Sequence, residues 1–161
     1  MKRGVKMEEK DLLELLTGQN QIQRVMEMNQ KTEMFGLVLS QEDAKVLVER
    51  KKESLKEQQR VEFGEGILPK LIFAFCDSPY IYQENYVDTL ISLQEIFYLY
   101  KNESMDELTD DELLAVMKEA FDGECKGSLE YLEDTSLEKF ARNIRREGNS
   151  FLEKTYVIKG R

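Results

Sequence analysis

Between Ile67 and Tyr100 the chain is too apolar to face water, with two helix-length segments, ILPKLIFAFC and QENYVDTLISLQEIFYLY, separated by Asp77-Ser78-Pro79. A proline restricts the residue before it and supplies a turn, so the two segments are expected to form a helical hairpin around which the rest packs. Pro69 falls in the first turn of the leading segment, where a missing N–H costs little. In the second segment Tyr86, Leu90, Leu93, Phe97 and Tyr100 recur every three or four residues, and Val87, Ile91 and Tyr98 widen the stripe. That is the pattern of a helix covered on more than one side.

Helical signals continue on both flanks. Met7–Leu16 reads as a first helix with Leu12, Leu13, Leu15 and Leu16 on an apolar face and Gly18 as its stop. Gln21–Glu33 reads as a second, with Ile22, Val25 and Met26 inward. Residues 1–33 are expected to form a loosely docked arm or a dimerisation element. Ser40 and Asp43 are spaced as a capping box ahead of a long helix. Ala44, Leu47, Val48 and Leu55 mark its inner face. Its charged second half, with Glu49–Lys52, Glu53–Lys56 and Glu57–Arg60 at neighbour spacing, is expected to run in solvent.

Thr109 and Glu112 form a second capping box, for a helix ending at Asp122-Gly123. Ser128 is expected to start a short helix through Leu132, and Thr135-Ser136 a separate one through about Arg146, stopped by Gly148. The β-branched tail Phe151–Ile158 is expected to lie extended against the bundle. No pair of strands is evident. The expected fold is all-α: an irregular single-domain bundle of about six or seven helices, spanning residues 1–161 around the hairpin 67–100.

Charge and composition exclude whole classes of function. The chain of 161 residues carries 23 Lys and Arg against 32 Asp and Glu, a net charge of −9, which opposes attraction to nucleic acid or anionic lipid. Thirteen of the acids lie between Glu103 and Glu138, against Lys118 and Lys126 alone. The two basic clusters, Arg50–Arg60 and Arg142–Arg146, alternate with glutamate and lack aromatic residues to stack on bases. Lys70 and Asp88 interrupt the most apolar segments, so no membrane span is expected. The first residues do not read as a secretory signal, and Cys76 and Cys125 read as thiols of a cytoplasmic protein.

Histidine is absent, which removes the usual general base near neutral pH and the commonest transition-metal ligand. No Ser-His-Asp or Cys-His arrangement can be built, nor an H-E-x-x-H zinc site. Gly123-Glu-Cys125-Lys-Gly127 matches a nucleophile elbow in letters, but a helix precedes it and no base accompanies it. Gly64-Glu-Gly66 could offer backbone N–H groups to an anion, yet it lacks the lysine and hydroxyl of a phosphate loop. Carboxylates are plentiful, and Glu130 with Glu133 or Asp134 shares a helix face that could hold Mg²⁺ or Mn²⁺. A solvated acidic face is the preferred reading.

The quoted hairpin, with FGLVLSQEDAKVLVERKKESL before it and DELTDDELL and AFDGECKGSLEYLE after it, resembles an uncharacterised bacterial domain-of-unknown-function family of small acidic proteins over residues 35–133. The resemblance implies a full-length cytosolic member and no assigned activity, cofactor or catalytic residue. The expected function is a non-enzymatic protein-interaction module, bound through Tyr80 and Tyr82 beside Pro79 or through the acidic residues Asp106, Asp110 and Asp111. Its partner would be a protein, basic where charge decides. Self-association is left open. The alternative is a carboxylate-dependent enzyme acting on a phosphorylated small molecule.

Overall fold

The computed structural model describes residues 9–147, so the expected tail Phe151–Ile158 and the Gly148 stop lie outside the described residues. Within them every regular element is helical: α1 Glu9–Glu27, α2 Asn29–Thr32, α3 Gln41–Glu57, α4 Leu68–Phe75, α5 Tyr86–Glu103, α6 Asp110–Asp122, α7 Leu129–Tyr131 and α8 Leu137–Glu147. Short 3₁₀ turns precede α5 and follow α2, and a π turn, Leu132–Ser136, joins α7 to α8. The helix α5 is the hub, packing on α3, α4, α6, α7 and α8. Its buried side chains include Leu90, Leu93, Ile96 and Phe97, each stabilising the fold by about 1.5–3 kcal/mol through removal from water.

Both capping boxes form. Ser40 Oγ accepts the Asp43 N–H at 3.0 Å while Asp43 Oδ2 accepts the Ser40 N–H at 3.0 Å. Thr109 and Glu112 repeat the exchange at the start of α6, at 3.1 and 2.8 Å. Each pair satisfies two donors that a bare helix start leaves open.

Three local expectations are corrected. First, α1 does not stop at Gly18 but runs through it to Glu27, passing close to Lys52 of α3. A helical glycine costs about 1 kcal/mol, offset here by packing of α1 on α3 and α4 with Val25 buried. Met28 and Thr32 are buried as well, and the Asn29 amide brackets the Leu39 backbone at 2.9 and 2.8 Å. Second, the later half of α3 is not wholly in solvent, because Lys51 and Ser54 are buried. Its Arg50 pairs with Glu95 of α5 at 2.8 Å, and Arg60, beyond its end, pairs with Asp106 rather than Glu57.

Third, α7, the π turn and α8 follow one another without a break, where two separate helices were expected. Leu132 and Leu137 are both buried, although residues five apart lie on different faces of a regular helix. The wider turn brings both inward. Tyr100 Oη donates to the Glu133 carbonyl at 2.5 Å, and Ser136 Oγ, instead of capping a new helix, donates to Glu124 at 2.5 Å and meets Cys125 Sγ at 3.3 Å.

Candidate functional site

The hairpin turn is pinned to α6 and divides its two tyrosines. Ser78 Oγ donates to Asp122 Oδ1 at 2.6 Å and accepts the Tyr80 N–H at 3.2 Å. The Asn85 amide donates to the Tyr80 carbonyl at 3.1 Å and accepts the Tyr82 N–H at 2.9 Å. Tyr80 turns inward and is half-buried, its ring edge-on to Phe121 with centroids 6.3 Å apart. Gly127, at φ +81°, lies so close that a Cβ there would fall 2.5 Å from the Tyr80 Cβ, so only glycine fits. Tyr82 turns outward and is 56% exposed.

Tyr82 has company that the sequence did not flag. Phe73 on α4 is 60% exposed and carries the Lys31 ammonium over its ring at 5.4 Å, a cation–π contact. Met34, Phe35 and Val38 follow Lys31 in the chain and are exposed. The Gln83 amide, next to Tyr82, exchanges two 2.9 Å hydrogen bonds with the Val38 backbone. These contacts tie Lys31 to α4 and the Gln83 turn to Val38, with Met34 and Phe35 exposed in the segment between. Phe73 also walls a groove of about 730 Å³ between α4 and α6, floored by Ala74, Leu114 and Ala115. The groove's rim is ion-paired: Lys70 meets Asp111 at 3.2 Å, and Lys118 meets Asp77 and Asp122 at 2.7 and 2.9 Å.

The acidic candidates are engaged inside the molecule. Asp106 takes a two-pronged contact from Arg60 at 2.7 and 3.2 Å, which holds its carboxyl below the usual range. Asp110 accepts from Lys101 at 2.9 Å, and Asp111 from Lys70. Glu130 and Asp134 are exposed, while Glu133 is half-buried in the π turn. Burial, then the charges of Asp134 and Glu95, raise the Glu133 carboxyl above its ordinary range. Among the described residues no three His, Cys, Asp or Glu side chains are gathered to hold a metal ion. Cys76 and Cys125 are free and buried, and burial pushes both thiols up.

One ion pair escaped the sequence. Lys51 meets Glu62 at 3.3 Å with both side chains largely buried. The other Glu62 oxygen accepts from Tyr98 Oη and from the Ile67 N–H, the latter at 3.2 Å. Burial and the Glu62 charge push the Tyr98 hydroxyl far above its ordinary value. Gly66 has φ +75°, and a Cβ there would sit 2.1 Å from Glu62 Oε1. The Gly64-Glu-Gly66 loop therefore accommodates an anion at the start of α4, and that anion is the chain's own Glu62. Its flanking residues Val61 and Phe63 point outward, 78% and 86% exposed.

Fold and surface together define an all-α bundle, histidine-free, that presents exposed aromatic side chains beside an apolar groove. The chain belongs to DUF6323, a family of unknown function, whose match covers residues 24–150. No curated protein and no solved structure matches it.

Proposed function

We propose that this protein is a non-enzymatic interaction module that binds a protein partner through the Phe73 surface. The observation that carries this function is the exposure of Phe73, which walls the α4–α6 groove, together with that of Met34, Phe35, Val38 and Tyr82 in the segments tied to it through Lys31 and Gln83. Exposed apolar side chains beside a groove suit an interaction site, and aromatic side chains dominate the energetics of such sites. A groove between two helices suits an amphipathic helix laid along it. Asp106, Asp110 and Asp111 already hold Arg60, Lys101 and Lys70, which favours recognition by apolar contact over capture of a basic partner by charge. Two unpaired thiols support a reducing, cytoplasmic setting, and the resemblance noted above supports a bacterial one.

Affinity capture from native cytosol tests the proposal, comparing wild type with Phe73→Ala/Tyr82→Ala and with Val61→Ser/Phe63→Ser on the loop before α4. Both pairs are exposed, so each variant is expected to unfold within a few degrees of wild type. A stoichiometric partner retained by the loop variant and lost by the Phe73 variant is the expected result. A partner held equally by all three, or none at all, would overturn it. Self-association through the same surface would appear as a sedimentation shift abolished by Phe73→Ala.

A further inference from the structure

A second concave site lies between α1, the Gly64-Glu65 loop and the first turn of α4, and nothing in the partner-binding function uses it. Thr17, Asn20, Gln21 and Arg24 line it from α1, and their spacing of three, one and three residues puts them on one face of that helix. A helix docked on a bundle ordinarily turns apolar side chains toward its neighbours. These four are polar, and the cavity they border has a volume of about 290 Å³, close to the lower limit for small-molecule pockets.

Two features of the cavity point to a ligand. Gln21 Oε1 is shut off from solvent and accepts no hydrogen bond among the described residues. Buried polar atoms are ordinarily paired, so this oxygen calls for a molecule that brings an N–H donor to it. The terminal amide torsion of glutamine is soft, which lets the oxygen swing to meet a donor in the cavity. Independently, both signs of charge stand in the walls: Arg24 Nε donates to Glu65 Oε2 at 2.8 Å, from α1 to the loop. Arg24 Nη1 rests on Met28 Sδ at 3.4 Å, while Arg24 Nη2 and Glu65 Oε1 have no partner among the described residues.

These charges decide what kind of molecule fits. An amine alone would answer Glu65 but be set against Arg24, and a carboxylate alone would answer Arg24 but be set against Glu65. A zwitterion answers both, through charge-assisted hydrogen bonds of the stronger kind. Val25 and Pro69, both buried, give the cavity its apolar side. Its volume is roughly ten times the ~30 Å³ share of one water, room for a single small molecule. We propose that this cavity binds a free α-amino acid with a short aliphatic side chain. Its ammonium lies on Gln21 Oε1 and Glu65 Oε1, its carboxylate on Arg24 Nη2 and its side chain against Val25 and Pro69.

Titration calorimetry on the full chain tests the proposal with L-alanine, L-valine and L-leucine, and with sodium acetate and n-propylamine as probes that carry one charge each. Saturable binding of at least one of the amino acids, and of neither single-charge probe, is expected. Gln21→Met removes the unpaired oxygen at similar size, so the variant should unfold no earlier than wild type yet bind about tenfold more weakly. Arg24→Met and Glu65→Gln should each weaken binding to a similar degree, and at little cost to folding because their ion pair is partly exposed. Glu84→Gln, on the turn before α5 and outside the cavity lining, should leave binding unchanged. No saturable binding of any of the amino acids, acetate or propylamine bound as tightly as they are, or an affinity indifferent to Gln21→Met would overturn the proposal.

Discussion

Lys51 and Glu62 show how a buried charge is kept. Each would be costly alone, but Glu62 meets Lys51, Tyr98 and the Ile67 N–H together, which offsets the desolvation. Glu62→Gln leaves the Lys51 ammonium without its counter-charge and is expected to cost about 3–5 kcal/mol in urea unfolding. Lys51→Met/Glu62→Gln should recover part of that loss, because the two act on one interaction. A single-variant cost below about 1 kcal/mol would mean that water reaches the pair. The Arg60–Asp106 contact is more exposed and worth about 0–1 kcal/mol. Its folded-state carboxyl lies below the ordinary 3.8, so the contribution is present above that pH and lost as pH falls through the lowered value. Asp106→Asn should therefore lower Tm slightly at pH 7, and the difference should shrink as pH falls below the ordinary carboxylate range.

Element by element, the hairpin, its proline turn and both capping boxes were legible, because they rest on apolar period and on side chains that bond within one turn. The continuation of α1 through Gly18 was not: packing on α3 and α4 outweighs a local preference of about 1 kcal/mol. The π turn was hidden for a similar reason. Thr135-Ser136 has the letters of a helix start, while Ser136 bonds Glu124 and the Glu133 carbonyl is taken by Tyr100, 33 residues earlier. Of the candidate site, Tyr82 was legible as a turn tyrosine; Tyr80 was not, since its inward course depends on Phe121 and Gly127. Phe73 sits in the most apolar segment of the chain, so periodicity alone gave no reason to place it outside. Tyr100→Phe removes the hydroxyl on Glu133 and is expected to cost about 1 kcal/mol. Amide exchange should quicken within 132–137 while α5 stays protected; unchanged exchange there would show that the π turn holds without it.

Across the whole molecule, one continuous core from Val25 to Ile144 carries two different surfaces. Apolar side chains and an ion-paired groove lie along α4, and a carboxylate-lined pocket lies between α3, α5 and the π turn. The chain's strong negative charge is partly consumed in pairs such as Asp106–Arg60 and Asp111–Lys70, so net charge alone is a poor guide to how it meets a partner. The most direct test of partner binding through Phe73 is photocrosslinking in living cells, with a benzophenone amino acid at position 73 and, separately, at position 63. Both positions are exposed and on different elements. One discrete heavier species from position 73 and none from position 63 is the predicted result. Identical adducts from both positions, or no adduct from position 73, would contradict it.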